Sequence, residues 1–156
     1  MYGDYKPDDM DNRDIEVSLL SIYEMPERTS LYRSAVRRYA GGEIGVSLRA
    51  WLDAGDSDSL TLTAEVIYSD KDAMMHPTLF SACAAAEFSV VHSAGSVTMG
   101  RGRLLLPHHL LTLMLGTVVG ALRGIIAVRT RGTALEGSPL PLLNIADLAR
   151  SLSHAV

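Results

Sequence analysis

The segment from Leu104 to Val128 constrains the fold of this chain more than any other. Its first nineteen residues, Leu104 to Leu122, carry no formal charge. Pro107 suits the first turn of a helix, where its missing N–H costs nothing. On such a helix Leu110, Met114, Val118, Ala121 and Ile125 share one side, and Leu111, Leu115, Val119, Leu122 and Ile126 share another. Gly116, Gly120 and Gly124 recur at four-residue spacing on a third. A helix that is apolar all round must be buried all round. One sheet covers only one side of it, so a second copy of the chain is expected to cover the rest. Leu111, Met114, Gly116, Val119, Gly120 and Gly124 are the residues expected at that subunit interface. The small-xxx-small spacing also suits packing within a bilayer, and the length is enough to span one. Pro107, His108 and His109 at one end and Arg123 near the other argue against insertion, as do the amphipathic strands ahead, which need a helix to cover them.

Those strands are read from alternation. Ile15 to Leu19 alternates, and Leu20, Ile22 and Tyr23 continue with a phase slip, which predicts a strand with a bulge. Met25 to Tyr39 is a connection with room for a short helical turn. After Gly41-Gly42, apolar residues fall at every second position from Ile44 to Leu52, the pattern of a half-buried strand. Ala54 to Ser59 is a turn, and Leu60 to Ser69 alternates again, completing an antiparallel hairpin. Leu79 to His92 is alanine-rich, which favours helix by propensity, but its length and its Phe88-Ser89-Val90-Val91 end favour a fourth strand. Residues 93–103 read as loop. Asn144 is a good N-cap for a short helix over roughly Ile145 to Ser153, with Asp147 in a capping-box position. Strands first and helices last predict an α+β fold: a four-stranded antiparallel sheet, then a long apolar helix and a short C-terminal helix. Residues 1–14, with five aspartates and little to bury, read as a mobile acidic tail, and residues 15–156 as a single domain.

Charge is divided along the chain. Residues 1–14 carry a net −3, residues 15–100 a net −5 and residues 101–156 a net +4. The total of −4 argues against a nucleic-acid binder. Hydrophobic residues make up 47%, too many for a disordered chain. The polar opening has no secretory signal, and Cys83 is the only cysteine, so reducing cytoplasm is the expected compartment.

Little points to chemistry. His108 and His109 are adjacent and diverge by about 100° on a helix, so they cannot chelate one metal as an i, i+4 pair would. Cys83 lies among alanines, where a buried, inert thiol is the usual outcome. The glycines of Gly100-Arg101-Gly102-Arg103 offer a weak anion-binding pattern, and a flexible connection is the better reading. No nucleophile elbow, phosphate loop or paired-cysteine metal motif occurs. No catalytic residue, metal or cofactor is expected, and the chain is not read as an enzyme.

Several short motifs carry a resemblance. Leu106-Pro107 opens the long helix, Arg123-Gly124 lies near its end, and Leu140-Pro141-Leu142-Leu143-Asn144-Ile145-x-x-Leu148 leads into the last helix. This resembles the SecB family of protein-export chaperones. More closely it is similar to divergent SecB-like proteins, through Arg123 to Ile126 and Arg129 to Thr133. With the order of strands and helices, the resemblance covers roughly Ile15 to Leu152. It implies homodimers or homotetramers with the long helices packed between subunits, and ATP-independent binding of unfolded polypeptides. It also implies the SecA motor as a partner in protein export.

The leading expectation is therefore a holdase that binds non-native polypeptide. Trp51, Tyr68, Phe80 and Phe88 are its candidate peptide-binding residues, chosen because they are large and lie on strands; core burial is the competing reading for each. A second expectation is a small α+β ligand-binding protein or hot-dog-like thioesterase, although that class places its helix after the first strand. A third is an oligomeric interaction module without client binding.

Overall fold

In a computed structural model, the structure describes residues 15–155 apart from 56–57, 93–94, 97–98, 101–102, 105 and 139. The acidic segment 1–14 lies outside these residues. Where alternation predicts strands, strands form: β1 (Ile15–Glu24), β3 (Ile44–Ala54) and β4 (Ser59–Asp70); the alanine-rich segment read as a strand from its length and end is β5 (Thr78–His92). Between β1 and β3 the chain makes a 3-10 turn (Pro26–Arg28), a two-residue strand β2 (Ser30–Leu31) and a short helix α1 (Arg33–Arg38). The long strands lie in the order β1-β5-β4-β3, all antiparallel. Three hairpin-linked strands and a first strand that returns beside the last form a Greek key.

The sheet has more than the four expected strands. β2 pairs with Ser81 and Phe80 of β5, and β6 (Gly95–Ser96) pairs with Val91 and His92. A separate two-residue pair, β7 (Met99–Gly100) and β8 (Arg103–Leu104), occupies what reads as loop in the sequence. The expected bulge in β1 is present as a register shift between Leu19 and Ser21.

The long helix α2 spans His108–Arg129 and the last helix α3 spans Ile145–Ala155. α2 begins later than Leu104, because Pro107 has extended backbone (φ −55°, ψ 139°) and acts as the N-cap. Asn144 caps α3 as expected: its Oδ1 accepts the Asp147 amide at 3.2 Å. Arg123 of α2 donates to the carbonyls of Leu140 and Pro141. The Arg-Gly and Leu-Pro motifs are therefore one structural device, which straps the connection to the helix.

The core forms where α2 crosses β4 and β5. The register aligns Leu60 with Phe88, Leu62 with Ala86, Ala64 with Ala84, Val66 with Ala82 and Tyr68 with Phe80. All ten are buried, and they meet Leu111, Met114, Leu115, Val118, Val119, Leu122 and Ile126 of α2. Alanine propensity favours helix in β5, but tertiary packing reverses it: small side chains at Ala82, Ala84 and Ala86 let α2 lie close to the sheet. α3 packs against α2 and β3, closing that flank.

Candidate functional site

Three surfaces around this core bear on function. The first is β1. Among the described residues it pairs with β5 alone, so its second edge is open there. An open edge presents unpaired N–H and C=O groups, a template for another extended chain. Leu19, Leu20, Ile22 and Tyr23 stand along it with 41–55% of their surface exposed. Leu19 and Ile22 pair with Phe88 and Ala86, so they lie on the face that carries α2, beyond its cover. Tyr23 pairs with Ala85 and lies on the opposite face.

The second surface is the outer stripe of α2. Leu113 and Val128 are exposed, and so are Gly116, Gly120 and Gly124. A Cβ built on any of these glycines meets nothing within 4 Å. The glycines therefore make no close contact within one chain. The helix is long and apolar enough to cross a membrane by length and composition, yet 39% of its most apolar window is buried in the protein. Of the residues expected at a subunit interface, the structure divides the set. Gly116, Gly120 and Gly124 share the open stripe. Leu111, Met114 and Val119 are buried against this chain's own sheet, so they are core and leave no surface for a partner.

The third surface is the helix-free face of the sheet, where Trp51 lies. Its indole is half-buried, with the guanidiniums of Arg28 and Arg49 5.3 Å and 5.4 Å from the ring centroid. Both arginines converge on Glu65, whose side chain is 8% exposed. Arg49 donates to Glu65 Oε1 from Nε at 2.8 Å and approaches it with Nη2 at 2.6 Å, while Arg28 Nη1 reaches Oε2 at 3.4 Å. The strand register puts Arg49 opposite Glu65, and the 3-10 turn after β1 brings Arg28 over them. The two cations of the cluster stand over the Trp51 ring, contacts that fix its position.

The other expected peptide-binding aromatics are elsewhere. Tyr68, Phe80 and Phe88 are buried under α2, so they are not groove residues in this fold. The reason is register: even-numbered residues of β4 and β5 face the helix, and odd-numbered residue Trp51 of β3 faces away. Tyr68 packs edge-on against Phe80 at 5.9 Å, and its hydroxyl is buried without a hydrogen-bond partner. Burial raises its pKa.

Cys83 is buried, with Sγ 3.6 Å from Met25 Sδ. Burial, then the charge of Glu65, push the thiol up to about 11, and Arg28 offsets this only in part. A thiol so placed stays protonated and unreactive. Among the described residues, no group of three or more His, Cys, Asp and Glu side chains could hold a metal ion. His108 Nε2 lies 2.9 Å from the Ala146 carbonyl, a link between α2 and α3.

No protein-family model matches this chain, and no curated protein matches it. A functional reading of the chain therefore stands on its surfaces. The β1 region joins a strand edge, open among the described residues, to large exposed side chains, and sequence reasoning did not single it out. The phase slip at Leu20 was its only local signal.

Proposed function

We propose that this chain is an ATP-independent holdase that binds non-native polypeptide, built as a SecB-like oligomer. The observation that carries the reading is the open β1 edge. Backbone pairing groups are exposed there beside Leu20, with Leu19 and Ile22 on one face of the sheet and Tyr23 on the other. Hydrogen bonding to backbone is indifferent to client sequence, and apolar contact is nearly so, which is what a binder of unfolded chains requires. Contiguous exposed apolar surface on a folded protein marks an interaction site. The outer stripe of α2 gives a second copy its place: glycines leave room for close helix approach, and Leu113 and Val128 flank them. In this reading the two surfaces divide the work, α2 holding subunits together and the β1 region holding client. Membership of an export pathway, with the SecA motor as partner, belongs to the same proposal and rests on the motif resemblance alone.

The test is suppression of aggregation. A thermally or chemically unfolded model protein is diluted into buffer with the full chain and no nucleotide, and light scattering is followed. Near-stoichiometric chain should reduce scattering at least twofold, and Leu20→Asp with Ile22→Asp should abolish the effect while circular dichroism is unchanged. No suppression at tenfold excess, with the oligomer intact, would favour an interaction module that holds no client.

A further inference from the structure

The far end of the sheet from the start of β1 carries a cleft of different chemistry. α1 stands on one side of it and the turn after α2 on the other. Its larger part, about 400 Å³, is lined by Leu31, Arg33, Val36, Arg37, Tyr39 and the Gly132–Ala134 turn. A second part of about 300 Å³ is lined by Pro26, Thr29, Ser30 and Arg129. Leu31 and Arg33 border both parts, so the two lie side by side.

Its polarity is one-sided. Arg33, Arg37 and Arg129 supply three guanidiniums, against an apolar base of Leu31 and Val36. Arg129 is engaged by Glu24 through two hydrogen bonds of 2.9 Å. Arg33 and Arg37 have no acidic partner among the described residues and are exposed. The turn opposite is held open from within: Gly132 has φ 75°, and its amide donates to Glu136 Oε2 at 3.0 Å. Glu136 is thereby committed to the turn.

The backbone of β2 adds direction. The Tyr32 amide donates to the Leu79 carbonyl at 3.0 Å. In an antiparallel ladder, hydrogen-bonded pairs alternate with pairs that do not exchange bonds. Leu31, paired with Phe80, therefore turns its N–H and C=O away from β5, toward the sheet's open edge beside Arg33. An extended chain entering there finds a backbone donor and acceptor, then two cations.

We propose that this cleft seats an acidic, partly apolar stretch of a non-native client in extended form. The proposal rests on the holdase reading and adds a selectivity to it. Spacing supports a peptide over a small anion. Arg33 and Arg37 are one helical step of four apart, about 6 Å along the axis. Acids at alternate positions of a strand are about 6–7 Å apart, so an acid-apolar-acid sequence matches the backbone spacing of Arg33 and Arg37, whose flexible side chains reach for its carboxylates. Arginine forks suit carboxylate in particular, by paired hydrogen bonds.

The experiment uses the full chain and three fluorescein-labelled ten-residue peptides, read by anisotropy. One alternates aspartate with leucine, one alternates lysine with leucine, and one has the aspartates contiguous. The alternating acidic peptide should bind at least tenfold tighter than the lysine peptide and several-fold tighter than the contiguous one. Arg33→Glu with Arg37→Glu should remove or reverse the charge preference. Arg38→Glu, on the same helix but outside the cleft, should leave it within twofold. Equal binding of the acidic and lysine peptides overturns the proposal, as does full displacement of the acidic peptide by millimolar inorganic phosphate, which would mark a general anion site. Aggregation of an unfolded client is followed on the same preparation. Suppression without acidic preference sinks the selectivity alone, whereas no suppression of any client removes the holdase reading beneath it.

Discussion

Replacing Gly120 by leucine separates a helix stripe that faces water from one that faces a second copy. Within one chain the new side chain has room, because a Cβ at Gly120 meets nothing within 4 Å. Leucine is also about 0.8 kcal/mol better than glycine in a helix interior. For the isolated subunit this predicts a gain approaching 1 kcal/mol, or a melting temperature about 2–4 °C higher for a chain of this size. If the stripe packs on another α2, the sign reverses. Overpacking a close contact costs about 1–3 kcal/mol, and a two-fold interface meets the substitution twice. The association constant should then fall at least tenfold, since 1.4 kcal/mol is one decade. Sedimentation equilibrium over a hundredfold concentration range measures the association constant, and thermal melts at both ends of that range measure stability. The expected pattern is split: a lower melting temperature at high concentration, where the oligomer contributes, and a higher one at high dilution. An unchanged association constant with a higher melting temperature throughout would refute the reasoning and return the glycine stripe to solvent.

Other outcomes can be checked with single variants. Tyr68→Phe removes a buried hydroxyl that has no partner, so urea unfolding should show stability unchanged or raised by up to about 1 kcal/mol; a loss above that would reveal a bond to the hydroxyl. Glu65→Ala leaves Arg28 and Arg49 side by side near Trp51 without the carboxylate they share. With the guanidiniums half-exposed the cost should be about 1–2 kcal/mol, with a change in Trp51 fluorescence. Cys83 should resist thiol reagents at pH 8, reacting at least a hundredfold more slowly folded than in urea. Because burial pushes the folded thiol up to about 11, the unfolded state alone ionises between about pH 9 and that value, and stability should decline as pH rises through this window.

Much of the fold was legible because its strands alternate cleanly. Ile44 to Leu52 and Leu60 to Tyr68 announce a hairpin by period alone, and Asn144 announces a helix start. β5 was legible from its length and its end in spite of its alanines. What sequence could not supply was which side of α2 meets its own sheet. Two apolar sides of that helix are nearly equivalent in composition, so Leu111, Met114 and Val119 read as well for an interface as for a core. The same gap misplaces Tyr68, Phe80 and Phe88, whose burial depends on which sheet face the helix covers. The exposure of Leu19 and Ile22 follows from β1 being an edge, a fact of topology that no local pattern encodes. Glu65 with its two arginines required Arg28 to return from a distant turn, a contact across 37 positions.

The pairing of β1 also sets a timetable. Glu24 pairs with Ala84 and Ile15 with His92, so the first strand of the sheet lies beside the last. At a synthesis rate of about 5–20 residues per second, β1 leaves the ribosome roughly sixty residues, or about 3–12 s, before its partner exists. During that interval Leu19, Leu20, Ile22 and Tyr23 belong to a strand with two free edges instead of one. β3 and β4 can close as a hairpin in about microseconds and wait beside it. A nascent chain of this protein thus passes through the kind of exposed, unpaired state that its proposed clients occupy.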